Sequence, residues 1–349
     1  MGTIVVELTD RCNLSCDHCL SGRHGGRTLL SLEVLRKVLD EARSLGFTSL
    51  GFTGGDPTLH PQYPEIIRMT AQAGYRFGVV TNGWNFPGVY PAILEQREAL
   101  SGITFSFDGA SEQTHDAQRG AGSYRRVLRA FAICVVERLP FTINMVLTAR
   151  NRHEVGEMAR LGSRLGAALV RFGHLMLTLL TTAMKLDLTP EERRTVEQEI
   201  RNLQTGFDVP LVIAPGYYTT DLFPCGPLRG QDVNIDCRGN LTKCCHLSGH
   251  GEGAGQGDVI GNLAEMGFAE AWRLLVEENA RFREEKERLN RQGELLDSDL
   301  FPCWYCSLYY RKVDWLRKSA DHPWGRLHCG GSHTAMPSSQ LLEKIESAR

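Results

Sequence analysis

The sequence predicts an α/β chain, a parallel sheet wrapped by helices and followed by a smaller α+β region. Two observations predict it. Short β-branched runs alternate with amphipathic helical patterns through the first half, which is how βα units around a parallel sheet read. Near residues 185–210 the composition breaks, and cysteines reappear from Cys225, dividing the 349 residues into a domain at 1–205 and another at 206–349. That division agrees with a prior of roughly 150 residues per domain.

Six strands are expected in order, at residues 3–8, 49–53, 76–81, 102–107, 141–148 and 169–172. Residues 31–45 read as a helix because Leu32, Val34, Leu35, Val38, Leu39 and Ala42 recur at near-helical spacing. In parallel sheets chemistry gathers at the carboxyl ends of strands. The first strand leads into a loop holding Cys12, Cys16 and Cys19 in Cys-x3-Cys-x2-Cys spacing, and the second ends in Thr53-Gly54-Gly55-Asp56-Pro57. The third ends in Thr81-Asn82-Gly83-Trp84 and the fourth in Ser106-Phe107-Asp108-Gly109.

Three thiolates on one short loop can hold a [4Fe-4S] cluster and leave one iron open, whereas an electron-transfer cluster normally uses four cysteines. Isolated Cys-x-x-Cys pairs often bind zinc, but the turn at 53–57 decides against zinc here. Together the cysteine loop and this turn resemble the radical S-adenosylmethionine (radical SAM) superfamily, whose signatures are Cys-x3-Cys-x2-Cys and a Gly-Gly-Glu-Pro-like turn. The resemblance runs along about the first two hundred residues and implies an open (β/α)6 barrel, with Cys12, Cys16 and Cys19 as cluster ligands.

It also implies a SAM site. Gly54, Gly55, Asp56 and Pro57 would receive the methionyl ammonium, with Asp56 a shorter substitute for the usual Glu. Asn82 stands at the next strand end, Ser106 and Asp108 near the ribose and methionyl carboxylate, and Arg119 as a partner for that carboxylate. Asn144 follows the pattern more loosely. His18 stands where the family commonly has an aromatic residue. It can pack against adenine or tune the cluster through a hydrogen bond to a sulfide, and both readings stay open.

In the second half, Thr189-Pro190 opens a helix running to about Leu203. Cys225 to Cys244 then reads Cys-x13-Gly-x4-Cys, with Gly239 inside a hairpin at 233–241, and Cys303-x2-Cys306 follows. This resembles the SPASM and twitch extensions of radical SAM enzymes, which carry auxiliary [4Fe-4S] clusters. A full SPASM domain would continue with further cysteines, and Lys312 occupies the first of those positions. The resemblance therefore implies one auxiliary cluster on Cys225, Cys244, Cys303 and Cys306, and two clusters in all. Cys237, Cys245 and Cys329 are left as substitute ligands, buried thiols or hydrogen donors. Cys134, in an apolar helix, reads as packing. Residues 249–257 read as a glycine-rich loop, 276–291 as a solvated helix face with intrahelical pairs, and 341–345 as part of a C-terminal helix.

A net charge of −2 gives no footprint for nucleic acid, and the most apolar stretch, 175–184, is too short and too interrupted by threonine to span a membrane. Eleven cysteines without a secretory leader argue for a reducing compartment, the cytoplasm. The resemblance implies reductive cleavage of SAM to a 5′-deoxyadenosyl radical that takes a hydrogen atom from an unactivated carbon. An external one-electron reductant of flavodoxin or ferredoxin type would be the partner. The expected substrate is a ribosomally made peptide, modified oxidatively, for instance by a crosslink. The first strand begins at Thr3, so no fused leader-binding module is expected ahead of it. Two alternatives stay open: a twitch-type dehydrogenase or epimerase of a sugar or aminocyclitol, and a non-catalytic iron-sulfur electron carrier. No general acid or base is named; Asp236, Asp314, Tyr309 and Tyr310 lie near the expected ligands in sequence only.

Overall fold

Six strands of the first half pair in parallel in chain order: β1 (Gly2–Thr9), β2 (Phe47–Gly54), β3 (Arg76–Thr81), β4 (Leu100–Ser106), β5 (Phe141–Leu147) and β6 (Leu169–His174). Each overlaps the position expected from the sequence, with β4 and β5 ending one residue before the expected Phe107 and Thr148. Helices α1 (Leu32–Ala42), α2 (Tyr63–Gln72), α3 (Phe86–Glu95), α4 (Glu112–Arg119), α5 (Ser123–Glu137) and α6 (Val155–Leu165) connect them. In this computed structural model residues 2–20, 26–248, 257–318 and 322–324 are described. Cys329, residues 249–256 of the glycine-rich stretch and the helix expected at 341–345 lie outside the described residues.

The period-2 alternation of the strands sorts their side chains. Ile4, Val6 and Leu8 join Leu35, Val38 and Leu39 of α1 in the core, and each such buried aliphatic side chain contributes about 1.5–3 kcal/mol. The intervening residues face the inside of the partial barrel. Register carries this across the sheet, pairing Glu7 with Thr53, Ser106 with Asn144, and Asn144 with Arg171. α1 starts where Ser31 accepts a hydrogen bond from the Glu33 N–H, an ordinary N-cap.

The sheet does not stop at β6. β7 (Leu211–Ile213) adds in parallel to the β6 edge, and β8 (Asp232–Ile235) adds in parallel to β1, with Ile4 opposite Val233. β9 (Asn240–Thr242) returns as a hairpin on β8 with Gly239 at φ +84°, and β10 (Val259–Asn262) closes the row. The order is β10-β9-β8-β1-β2-β3-β4-β5-β6-β7. The α+β segment past residue 205 thus extends the first sheet. An open barrel leaves two edges of unpaired N–H and C=O groups, and these strands satisfy them.

The remaining helices are α7 (Leu179–Ala183), α8 (Pro190–Leu203), α9 (Gly226–Arg229), α10 (Phe268–Gln292) and α11 (Pro302–Tyr309). α8 begins, as expected, at a capping box of Thr189 and Glu192. The solvated face expected at 276–291 is half of the picture. Arg281–Glu278 and Arg288–Glu285 do pair on the outside of α10, while Phe282 and Lys286 are buried on its other side. Phe282 packs with Leu228, Leu247, Tyr305 and Tyr310 in a separate apolar cluster that includes Cys225, Cys244 and Cys306 at its margin. Among the described residues no helix is long and apolar enough to cross a membrane.

Candidate functional site

Cys12, Cys16, His18 and Cys19 line one cavity of about 210 Å³ at the carboxyl ends of the parallel strands, together with Gly54, Gly55, Asn82, Ser106 and Arg119. Residues from the ends of all six parallel strands meet here, with Val146 from β5 and His174 from β6. The loop is held from several sides: Cys19 N–H donates to the Cys16 carbonyl at 3.1 Å, Asp17 N–H to the Gln118 carbonyl at 3.1 Å, and Arg150 Nη1 lies 2.6 Å from Asp17 Oδ2. Burial raises the pKa of Cys12 and Cys16, so their thiolates need a positive partner. Asn82 Nδ2 is 3.6 Å from Cys12 Sγ and Arg119 Nη1 3.8 Å from Cys16 Sγ.

Gly54 and Gly55 are required by a close approach of two loops. Gly55 N–H donates to the Thr9 carbonyl at 2.7 Å and Asp56 N–H to the Arg11 carbonyl at 2.8 Å. A Cβ on Gly55 would lie 2.1 Å from the Arg11 oxygen, and one on Gly54, at φ +129°, 2.3 Å from the Thr9 oxygen. The turn therefore clamps the cysteine loop to β1 while its glycines border the cavity.

Asp56 and Pro57, expected at the methionyl ammonium, are not among the cavity-lining residues. The Asp56 carboxylate is wholly buried and turned inward. It accepts hydrogen bonds from the Thr58 N–H and hydroxyl at 3.0 and 2.5 Å, and from the Thr81 hydroxyl and Asn82 N–H at 2.8 Å each. Four donors use its acceptor capacity. Asp56 thus fixes the end of β3 and aims Asn82.

Asp108 likewise sits behind the lining, with no exposure. Its carboxylate accepts from Arg119 Nε at 2.5 Å and from the Val146 N–H at 2.7 Å, and lies 3.1 Å from His18 Nε2. Burial alone would raise its pKa, but the Arg119 and His18 charges outweigh this and hold it well below the usual carboxylate range. Asp108 orients Arg119 and His18 toward the cavity. His18 Nδ1 is buried and has no hydrogen-bond partner, which leaves it available to a bound group. Ser106 takes the lining position its strand alternation gives it.

The four cysteines of the second half also meet. Cys225, Cys244, Cys303 and Cys306 line a second, small cavity of about 30 Å³ with Lys243, Met176 and His246. Burial pushes the Cys306 thiol up to about 12 and raises Cys225 and Cys303. Four half-buried thiols together make a donor set for iron, zinc or a cluster. Lys243 Nζ is buried there without a hydrogen-bond partner, a cation facing a site that becomes anionic once its thiols ionise. The residues thus fit a thiolate-bound, negatively charged group. In the first site, three thiols beside Arg119 and the free His18 Nδ1 fit one as well.

Met176 and His246 line both cavities and form the wall between them. His174 Nε2 lies 3.3 Å from Met176 Sδ, its ring stands 5.3 Å from that of His246, and a ligating atom of each histidine lies within 4.8 Å of Cys303 Sγ. Burial lowers the pKa of both, His246 to about 4. Sequence reasoning missed this wall. Its one signal is the apolar run at 175–184 that follows the sixth strand, which reads equally well as packing.

Of the remaining cysteines, Cys237 is 5 % exposed and lines neither cavity, Cys245 shares a hydrogen bond with the Cys244 thiol, and Cys134 is packed in the core. Asp236 caps the β8–β9 turn by accepting from the Arg238 and Asn240 N–H groups. Lys312 forms a fully buried ion pair with Asp258 at 3.0 Å.

Residues 6–162 match the model of the Radical SAM superfamily. The chain is 33% identical over 169 residues to the AdoMet-dependent heme synthase of Methanosarcina barkeri, covering 47% of this chain and 48% of that protein. It is 28% identical over 255 residues to the PqqA peptide cyclase of Ruegeria pomeroyi, covering 69% and 67%. The chain thus spans about half the length of the first of these relatives. Among solved structures, Streptococcus suis SuiB bound to S-adenosylmethionine superposes with a TM-score of 0.62 at 14% identity, covering 77% of this chain and 65% of that one. At that identity the likeness shows a shared fold, an α/β chain with a parallel sheet at its core.

Proposed function

We propose that this chain, whose residues 6–162 carry a radical SAM domain, is an enzyme that cleaves S-adenosylmethionine reductively and modifies a ribosomally made peptide. The observation that carries the reading is the convergence of Cys12, Cys16, Cys19, Asn82, Ser106 and Arg119 on one cavity at the strand ends. In this reading Cys12, Cys16 and Cys19 hold a [4Fe-4S] cluster and Cys225, Cys244, Cys303 and Cys306 a second one. When bound, the first cluster supplies the electron that splits SAM into methionine and a 5′-deoxyadenosyl radical.

The protein's own residues bind and orient. Arg119, fixed by Asp108, offers its guanidinium to the SAM carboxylate, which suits its planar donor geometry. Ser106 and Asn82 offer polar contacts from adjacent strand ends, and His18 Nδ1 offers a donor or acceptor from within the cysteine loop. Val80, Val146 and Leu175 give the cavity apolar walls that exclude water from the reacting carbon. Met176 and His246 separate this cavity from the second thiol set, a short path by which an electron left on the substrate could depart. Removal of that electron favours an oxidative product such as a crosslink.

A peptide substrate is supported by the extent of similarity. The match to the peptide cyclase runs through 69% of this chain, well past the domain shared with the heme synthase, whose match covers 47%. The test is anaerobic: reconstitute, count iron, add SAM and dithionite, and measure 5′-deoxyadenosine, beside a Cys12→Ala, Cys16→Ala, Cys19→Ala triple variant. About eight irons per chain falling to about four, with nucleoside formation lost, is expected. Clusters without SAM cleavage, even with candidate peptides present, would overturn it in favour of an electron carrier.

A further inference from the structure

We infer that Lys243, backed by Lys286, is the cationic partner of the cluster proposed on Cys225, Cys244, Cys303 and Cys306, and that its ammonium makes that cluster easier to reduce. The inference rests on the proposed second cluster and assigns it a controlling residue.

Both lysines are 1 % exposed. Burying an ammonium costs several kcal/mol unless it is paired. Yet Lys243 Nζ has no hydrogen-bond acceptor among the described residues, and Lys286 Nζ donates at 3.3 Å to the Leu222 carbonyl. Aromatic faces offset part of the cost. Lys243 Nζ lies 4.4 Å from the Phe282 ring centre and 4.9 Å from that of Tyr310, and Lys286 Nζ 4.5 Å from that of Tyr305. Desolvated contacts of this kind return less than the burial of a charge demands.

What remains is the thiol cavity. Lys243 lines it beside Cys225, Cys244, Cys303 and Cys306. Once ionised, these four thiols turn negative charge toward the Lys243 ammonium on the shared cavity wall, and Lys286 lies over Tyr305 of the apolar cluster that Cys225, Cys244 and Cys306 border. The geometry is built to hold the ammonium in place: Phe282 and Tyr310 stack 6.0 Å apart with planes 4° from parallel, and the Lys243 N–H donates to the Asp258 carbonyl at 2.9 Å. A four-thiolate cluster gains negative charge on taking up an electron, and charge and hydrogen bonds near its sulfurs set its potential. A fixed cation stabilises the reduced form more than the oxidised one, which suits an electron acceptor.

The experiment is a potentiometric titration followed by electron paramagnetic resonance, on protein carrying the triple Cys12, Cys16, Cys19 substitution so that one cluster gives the signal. Lys243→Met should retain iron and shift the one-electron equilibrium against reduction by at least tenfold, a fall of about 59 mV in midpoint. Lys286→Met should shift it in the same direction by less, and Lys243→Arg should stay near the parent value. If Lys243→Met loses iron while circular dichroism shows it folded, retention of iron by Lys243→Arg supports the charge role. An unchanged midpoint in Lys243→Met, or Lys243→Arg behaving like Lys243→Met, overturns the inference while leaving the second cluster in place. Absence of iron from the triple variant itself overturns both the inference and the second cluster.

Discussion

Arg119 Nε sits 2.5 Å from Asp108 Oδ2, with the aspartate wholly buried and the arginine 8 % exposed. The pair spans eleven residues of sequence and joins the end of β4 to the end of α4, at the rim of the cysteine-lined cavity. Breaking a buried pair by removing one partner leaves the other charge uncompensated and costs about 3–5 kcal/mol. Asp108→Asn is therefore expected to lower stability by that order and to weaken SAM binding at least tenfold, because Arg119 loses its orientation. Chemical denaturation and equilibrium SAM binding check the two effects separately. Unchanged SAM affinity would remove Arg119 from the SAM site.

Gly55→Ala tests the loop clamp. Its Cβ would stand 2.1 Å from the Arg11 carbonyl oxygen, and since the obstacle is backbone, the cysteine loop must shift. The expected result is a folded protein that retains the second cluster and loses the first, a fall of about four irons per chain. Iron and sulfide counts after reconstitution decide it; full occupancy would mean that the loops tolerate separation.

Lys312, which stands where a full SPASM domain would carry a further cysteine, forms an ion pair with Asp258, both side chains at 0 % exposure. Burial raises the Asp258 pKa and Lys312 offsets this in part. Lys312→Met should destabilise the fold by about 3–5 kcal/mol, and adding Asp258→Asn should recover much of that, since the uncompensated charge then disappears. Iron content should be unaffected in both. A double variant no better than the single would mean that the cost lies in packing.

Glu7 provides a pH signature. Half-buried on β1, it is pushed up to about 7 by loss of solvation, with the Asn234 amide hydrogen bond at 3.1 Å opposing. Between its ordinary value and pH 7 the folded state binds this proton and the unfolded state does not, so stability falls as pH rises through that window and levels off above it. The full difference is roughly 3 kcal/mol. Glu7→Gln should therefore stabilise the protein at pH 8 more than at pH 6, measured by urea denaturation under anaerobic conditions. Equal effects at both values would place Glu7 in an ordinary ionised state.

The strand and helix order was legible because the signals are local. Period-2 and near-helical spacing along β1 and α1 depend on residues a few positions apart, and so does the Cys12, Cys16, Cys19 loop. Asp56 shows where locality ends. Its place in the Gly-Gly-Asp-Pro turn is plain from sequence, yet its direction is set by Thr81 and Asn82, which lie 25 and 26 residues further on. The extension of the barrel by β7 and β8 was equally hidden, since any exposed edge accepts a strand and the sequence does not say which edge each will find.

By itself, then, the sequence determined the six βα units, the placing of chemistry at their carboxyl ends and the two sets of cysteines, since spacing along a chain constrains what one loop or one strand can do. The tertiary structure alone decided that Asp56 and Asp108 serve their neighbours from behind the cavity, that Met176 and His246 form the wall between the two thiol sites, and that Lys243 and Lys286 lie buried against the second. Those outcomes depend on desolvation and on contacts such as Lys243 with Phe282, across 39 residues. The burial of a charge is a property of everything packed around it, and no stretch of sequence carries that.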